Sequence, residues 1–331
     1  MLPLNKNLPA AAVLAVCLAG EALYAQNPPP AAGAEDSGAV IRVDTRLIVC
    51  HTTVVDKSGH LVTNLPESAF TVYEDGVKQP IKIFKREDVP VSIGLVIDNS
   101  GSMRDKRAKV AAAALALVKA SNKEDESFVV NFNDEAFLDL PHNKEFTNDL
   151  SELEEALSRI DARGGTAMRD AIRMSIDWVK EKGHRDKKVL VVVTDGNDNS
   201  SVISLENLVK AAQQTGVIIY SVGLLSEEER REAQKARRAL MDLAEATGGE
   251  AFFPKELSEV DHIAGQVAHD IRSQYTIAYT PSNDTMDGKF RAIKIAVNAP
   301  GKPTVRTRNG YYATPDQGLP SGAKASAQNQ K

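Results

Sequence analysis

Short apolar runs alternate with amphipathic stretches through the middle of the chain, between residues 91 and 273. The apolar runs are rich in β-branched residues and predict buried strands, whereas the amphipathic stretches predict helices. Such alternation is typical of a doubly wound, mostly parallel sheet covered by helices. The predicted strands are 92–97, 127–132, 188–194, 216–222 and 250–253, with a short antiparallel edge at 136–140. The predicted helices are 103–119, 147–160, 167–182, 205–214, 227–246 and 256–273.

Both flanks of this α/β region have a β pattern with no helical period. Strand-like runs with polar turns between them cover 41–55, 70–73 and 80–85 on one side, and 274–280, 289–297 and 304–312 on the other. We expect the segments 41–90 and 274–313 to pair as a small β-sandwich beside the α/β domain of residues 91–273. The predicted fold class is therefore α/β with a Rossmann-like sheet plus a β-sandwich.

The first 25 residues have the layout of a secretory signal peptide. Lys6 precedes an apolar run of about 12 residues, and the small residue Ala25 stands before Gln26. This run is short for a membrane span. We expect cleavage near Ala25 and export to the periplasm or the extracellular space, with no transmembrane span in the mature chain. A lipoprotein anchor at Cys17 is the less favoured alternative, because Val16 stands where a small residue is wanted.

Two further segments are predicted to lie outside the folded domains. Residues 26–40 are rich in Pro, Ala and Gly and indicate a flexible linker. Residues 314–331 are small and polar and predict a disordered tail.

Charge and cysteine content narrow the class of protein. The net charge of −5 and the absence of a long Lys/Arg cluster argue against nucleic acid as a partner. Cys50 has no partner for an internal disulfide once a signal peptide is removed, and its apolar surroundings predict a buried strand residue. The oligomeric state does not follow from the sequence.

Oxygen-bearing side chains follow two of the predicted strands. In VSIGLVIDNSGSM, residues 91–103, Asp98, Ser100 and Ser102 have two-residue spacing and would project to one side of an extended segment. Asp195 ends the buried run at 188–194, and Thr166 lies in a Gly-rich turn before a helix. In doubly wound sheets, sites form at the carboxyl ends of strands where the strand order reverses. Hard oxygen ligands of this kind favour Mg²⁺ and similar cations.

The order Asp-x-Ser-x-Ser, then Thr, then Asp resembles the metal-ion-dependent adhesion site of von Willebrand factor type A (VWFA) domains. With its β flanks, the chain resembles an exported bacterial VWFA-related family described from acidobacteria. The resemblance implies Mg²⁺, or Mn²⁺ or Ca²⁺, and a protein ligand whose Asp or Glu completes the coordination. It assigns neutral oxygens to Ser100, Ser102 and Thr166, while Asp98 and Asp195 bind directly or through water.

Other interpretations of the same residues stay open at this point. Ser is common at strand-to-helix turns because it caps helices, so Ser102 could simply cap the predicted helix that begins at Met103. Asp170 is expected to hold a loop by hydrogen bonds, and Asp198 to be an exposed loop acid. A metal-dependent hydrolase and a structural envelope protein with a vestigial site are the alternative functions. The chain has no GxSxG, GxxxxGK[ST] or HExxH motif, so we expect a binding protein rather than an enzyme.

Overall fold

The computed structural model describes residues 46–141, 144–159, 162–225 and 230–315. The predicted signal peptide, the linker and all but the first two residues of the predicted tail lie outside the described residues. So do the predicted end of one helix at Ile160 and the predicted start of another at residues 227–229. No described helix is both long and apolar enough to cross a membrane.

Strands and helices alternate in the central region of the described chain. The strands are β1 (Ile48–Val55), β2 (Phe70–Glu74), β3 (Val77–Gln79), β4 (Ile81–Lys85), β5 (Val91–Asp98), β6 (Glu126–Phe132), β7 (Ala136–Leu138), β8 (Lys187–Thr194), β9 (Ile218–Gly223), β10 (Ala251–Phe252), β11 (Tyr275–Tyr279), β12 (Phe290–Val297), β13 (Thr304–Arg306) and β14 (Gly310–Tyr312). The helices are α1 (Arg107–Lys119), α2 (Leu150–Ser158), α3 (Met168–Lys182), α4 (Leu205–Thr215), α5 (Arg230–Thr247) and α6 (Val260–Arg272).

The central sheet has six strands in the order β10-β9-β8-β5-β6-β7. All of its pairings are parallel except that of β7, which runs antiparallel to β6. The order reverses between β5 and β8, because the chain leaves β5 toward β6 and later returns to the other side of β5. The predicted doubly wound sheet with a short antiparallel edge is confirmed.

Helices cover both faces of this sheet, which explains its continuous apolar strands. Leu95 and Ile97 of β5 face α1 and α6, together with apolar residues of β8 and β9. The alternate residue Ser92 lies beside Gly183 at the end of α3, so α3 packs on the opposite face. Strand β5 is buried along its whole length.

The flanking segments form two four-stranded sheets, ordered β13-β1-β11-β4 and β14-β12-β2-β3. Each sheet combines strands that precede the α/β region with strands that follow it, so the predicted β-sandwich built from both flanks is confirmed. Its core is a separate apolar cluster. That cluster includes Ile48, Cys50, Phe70, Val72, Tyr275, Ile277, Tyr279, Ile293, Ile295 and Tyr311.

The prediction of one strand over 304–312 is wrong. Thr304–Arg306 pairs with β1 in one sheet, and Gly310–Tyr312 pairs with β12 in the other. The chain changes sheets between them, where the side chain of Arg308 donates to the carbonyl oxygen of Gly310 at 3.1 Å. A strand that passes from one sheet of a sandwich to the other keeps its alternating pattern through the corner, so periodicity alone does not reveal the change.

Asp270 of α6 ties the α/β domain to the sandwich. Its carboxylate is buried and accepts hydrogen bonds from Thr53 of β1 at 2.9 Å, Tyr220 of β9 at 2.9 Å and Arg306 of β13 at 2.8 Å. Because α6 leads directly into β11, which lies beside β1, the end of this helix is fixed by both the chain and the buried ion pair.

Replacing Asp270 with Ala should lower the free energy of unfolding by about 3–5 kcal/mol, because the buried hydroxyls of Thr53 and Tyr220 would lose their acceptor. Of its described ion-pair partners, Arg306 would keep only Glu250. Urea unfolding of the purified protein measures the change. The control is Asp261→Ala on the same helix, which removes an exposed carboxylate paired with Lys109 and should change stability little. Equal effects of the two substitutions would contradict the role given to the buried contact.

Candidate metal centre

Asp98 lies at the carboxyl end of β5, at the point where the strand order reverses. Its side chain is fully buried, and each carboxylate oxygen accepts one hydrogen bond. The backbone N–H of Ser100 donates to Oδ1 at 2.7 Å, and the hydroxyl of Thr194 donates to Oδ2 at 2.6 Å. Asp98 is therefore oriented from both the loop that follows its own strand and the end of β8.

The hydroxyls of Ser100 and Ser102 form a chain of contacts that ends at Asp195. The two Oγ atoms are 3.2 Å apart, and Ser102 Oγ donates to Asp195 Oδ1 at 2.7 Å. Gly101–Met103 is a short 3-10 turn, and the regular helix begins only at Arg107. Since Ser102 binds Asp195 and lies outside α1, the alternative in which it merely caps this helix is not what the structure shows.

Thr166 is placed on the same edge by its backbone. Its N–H donates to Asn199 Oδ1 at 2.9 Å, and its carbonyl accepts from the N–H of Asn199 at 3.1 Å. The hydroxyl lies 3.8 Å from the point that a Cβ of Gly196 would occupy, directly after Asp195. Thr166 is thus next to the loop that carries Asp195, although no described hydrogen bond joins its hydroxyl to the other four site residues.

The two glycines before Thr166 permit this close packing of loops. Gly164 has a φ of +73°, and a Cβ there would lie 2.0 Å from Asp134 Oδ2. The N–H of Gly165 donates to Asp134 Oδ1 at 2.7 Å. A Cβ at Gly165 would lie 2.6 Å from Ser200 Oγ, so a larger residue at either position would displace the side chains that hold this loop.

Asp170 and Asp198 hold the surrounding loops. Asp170 accepts from the N–H groups of Val202 and Ile203 at 2.9 and 3.0 Å, which confirms its predicted loop-holding role. The prediction that Asp198 is exposed is wrong: its side chain is 6% exposed and pairs with Arg169 at 3.0 Å. Asp198 also accepts from the N–H of Arg169 at 2.7 Å, which fixes its loop to the start of α3.

Two residues that sequence reasoning did not select complete the surroundings of the site. Thr194 contacts Asp98 as described above, and Lys106 pairs its ammonium with Asp195 Oδ2. Thr194 could have been noticed as the last strand residue before Asp195. Lys106 follows Ser102 by four residues, but a lysine in this position is also an ordinary surface residue of a helix start.

Electrostatically, the site combines buried carboxylates with neutral hydroxyls. Burial raises the pKa of Asp98 to about 6, and the hydrogen bonds from Thr194 and Ser100 offset only part of this effect. The neighbouring charge of Asp195 raises it further. The fold thus holds a desolvated negative charge at the end of β5 at neutral pH, and a cation placed there would stabilise it.

Two oxygen separations at the site are compatible with a small divalent cation. Ligands of octahedral Mg²⁺ lie about 2.9 Å from one another, given metal–oxygen distances near 2.1 Å. The Oγ atoms of Ser100 and Ser102 are 3.2 Å apart, and Ser102 Oγ is 2.7 Å from Asp195 Oδ1, so the two distances lie on either side of that value. Among the described residues, no three His, Cys, Asp or Glu side chains group so as to hold a metal, so a cation would depend on hydroxyls as well as carboxylates. The ammonium of Lys106 already occupies this neighbourhood as a positive charge.

The model of the von Willebrand factor type A domain family matches residues 92–266, which is more than half of the chain. The chain belongs to this family. The match covers the strands β5, β8 and β9 and the loops that carry the candidate site. The predicted resemblance to VWFA domains is therefore confirmed.

Relatives of this VWFA protein are distant. An uncharacterized protein of Borreliella burgdorferi is 26% identical over 140 residues, which cover 42% of this chain and 40% of the relative. The chain spans less than half the length of the curated relatives that it matches.

Solved structures with similar folds include a von Willebrand factor type A protein from Catenulispora acidiphila, 12% identical, with a TM-score of 0.48 over 82% of this chain and 74% of that one. Proximal thread matrix protein 1 from the mussel byssus, described with a zinc-occupied MIDAS motif, is 17% identical. Its TM-score is 0.48, and the match covers 60% of this chain and 50% of the mussel protein.

Substituting Thr194 with Val should lower the free energy of unfolding by about 1.5–3 kcal/mol, because the buried carboxylate of Asp98 would lose its 2.6 Å hydrogen bond. Thr52→Val is the matched control, since Thr52 is also fully buried in a strand but makes only neutral hydrogen bonds of 3.4 Å. Denaturant unfolding in the presence of EDTA compares the two. A larger loss for the Thr52 variant would contradict the importance assigned to the Asp98 contact.

Proposed function

We propose that this VWFA protein is an exported, metal-dependent protein-binding module. A divalent cation, Mg²⁺ in the first instance and Mn²⁺ or Ca²⁺ as alternatives, would be held by Asp98, Ser100, Ser102, Thr166 and Asp195. An Asp or Glu of a protein partner would complete its coordination. The observation that carries this proposal is the continuous series of contacts from Ser100 through Ser102 to Asp195, with Asp98 buried beneath it.

The burial of the site residues supports binding of a partner from one side. Asp98, Ser100, Thr166 and Asp195 are buried, whereas Ser102 is exposed. A cation held by these side chains would be enclosed from below and open toward solvent near Ser102. Mg²⁺ keeps several waters in protein sites, and a water on the open side can be replaced by a ligand oxygen.

The charge at the site supports an acidic partner. Two carboxylates and the ammonium of Lys106 together leave a single negative charge. Addition of a divalent cation would turn this into a single positive charge in a largely desolvated position. One carboxylate from a partner would neutralise it, and charge-assisted contacts of that kind are strong and selective.

The contacts favour binding over hydrolysis. Activation of a metal-bound water in a hydrolase calls for a general base within hydrogen-bond reach. In the described part of the chain, no histidine and no third carboxylate hydrogen-bonds to the five site side chains. Asp98 and Asp195 are themselves engaged by Thr194, Ser102 and Lys106.

Export is part of this proposal and rests on the N-terminal pattern of residues 1–25. A protein-binding module with a short apolar leader fits a role in adhesion or assembly at the cell envelope. The periplasm and the extracellular space are both compatible with that pattern.

The proposal predicts that acidic peptides bind only when a divalent cation is present. Immobilised peptides with a central Glu should retain the protein in Mg²⁺ and release it in EDTA, while otherwise identical Gln peptides should not retain it. Ser102→Ala should lose retention because it removes the exposed cation ligand. Ser121→Ala should keep it, since Ser121 lies at the far end of α1, where its hydroxyl donates to Leu117 at 2.9 Å.

Retention that survives EDTA, or that is equal for Glu and Gln peptides, would contradict the proposal. Metal-dependent turnover of phosphoester or peptide substrates that Thr166→Ala removes would favour the hydrolase. Absence of Mg²⁺ and Mn²⁺ binding in calorimetry, both with and without the Glu peptide, would favour a structural protein with a vestigial site.

A further inference from the structure

Lys106 makes an ion pair with the buried carboxylate of Asp195. Lys106 is the residue immediately before α1, and its ammonium contacts Asp195 Oδ2 while Ser102 donates to Oδ1 at 2.7 Å. The side chain of Asp195 is 1% exposed and that of Lys106 is 31% exposed. The ammonium therefore approaches the buried carboxylate from the solvent side, which is the side from which a cation would enter.

We propose that Lys106 is a built-in competitor of the divalent cation. The inference rests on the cation site proposed above and adds a residue that sets its affinity. In the metal-free protein the ammonium neutralises Asp195. When a divalent cation binds, Lys106 either leaves Asp195, so that this ion pair is lost, or stays and repels the cation.

Both alternatives weaken cation binding, for different physical reasons. If the pair separates, the cation only replaces the ammonium as the counter-charge of Asp195, so the net gain from its attraction to this carboxylate is smaller. Keeping the pair places like charges a few ångströms apart. A unit charge and a divalent ion at roughly 5 Å, even in a water-like dielectric, correspond to about a tenfold reduction in affinity. Lysine suits this role because its flexible stem can move the ammonium without moving the backbone.

The acidic partner should reverse this effect. A carboxylate that approaches the bound cation also neutralises a lysine that has been released or that remains beside the site. By reciprocity, the partner raises the affinity for the cation by the same factor by which the cation raises the affinity for the partner. Lys106 would thus lower the affinity of the free protein for the cation, and a bound partner would raise it again.

Isothermal titration calorimetry, with Mg²⁺ or Mn²⁺ titrated into the purified full-length protein, tests this inference. Lys106→Met removes the charge but keeps the length of the side chain, and it should bind the cation about tenfold more tightly than wild type. Lys106→Arg retains the charge and should stay near the wild-type affinity. Lys109→Met is the matched control, because Lys109 lies three residues after Lys106 and pairs with Asp261 on α6 rather than with the site.

Thermal unfolding in EDTA supplies a readout that needs no metal. Lys106→Met should have a lower Tm than both wild type and Lys109→Met, because Asp195 would be buried without a counter-charge. Addition of Mg²⁺ should then raise the Tm of Lys106→Met more than that of wild type, since stabilisation by a ligand grows with its affinity. These curves also establish that the variant is folded.

The outcomes separate this inference from the proposed function. Cation binding by wild type with equal or weaker binding by Lys106→Met would overturn the inference and leave the proposed function standing. Binding by Lys106→Met alone would support the inference in its strongest form. Binding by neither, at millimolar Mg²⁺ and Mn²⁺ with both proteins folded, would overturn the proposed function and this inference together.

Discussion

The parallel pairing of β5 with β8 is the constraint on which the candidate site depends. Residues Val91–Ile97 lie beside Lys187–Val193 in parallel register, so the carboxyl ends of both strands reach the same edge of the sheet. Thr194 then faces Asp98, and Asp195 follows immediately. An antiparallel pairing would send the two acids to opposite edges. The Ser hydroxyls and the Gly-rich turn at Gly164 are arranged around this pair rather than creating it.

Buried polar contacts stabilise that edge and also other parts of the molecule. Several of them involve carboxylates. Asp98 accepts a hydrogen bond from Thr194, and Asp198 pairs with Arg169. Asp270 accepts hydrogen bonds from Tyr220 of the central sheet and from Arg306 of the sandwich. Each of these contacts satisfies a charge that burial would otherwise make costly. The same principle applies to Asp195, which is as buried as these other carboxylates. Its partner, the ammonium of Lys106, approaches from the solvent side. A partner in that position can be exchanged for another cation.

The sequence predicted the fold well wherever hydrophobic period and chain order were sufficient. Apolar runs that end in Asp98 and Asp195 identified the two strand ends, and the rule for strand-order reversal brought them together. The sequence did not reveal that the chain passes from one sheet of the sandwich to the other at residues 307–309. Apolar and polar residues alternate in the same way before and after a strand changes sheets. Lys106 and the burial of Asp198 were missed because charged residues in loops are exposed on average, and only the folded chain shows which ones find a buried partner. The metal role of Asp98, Ser100, Ser102, Thr166 and Asp195 stays a prediction.

Anomalous diffraction from crystals grown with Mn²⁺ would show whether the edge formed by β5 and β8 holds a cation, because it locates the metal without reference to any partner. We expect one strong peak at the carboxyl end of β5 and β8, bonded to the hydroxyl oxygens of Ser100, Ser102 and Thr166, with Asp98 and Asp195 in direct or water-mediated contact. The electron-density map from the same crystals should show whether the ammonium of Lys106 has left Asp195. No peak at this edge, or a peak bound by other side chains such as Asp134, would show that these five residues do not form the metal site.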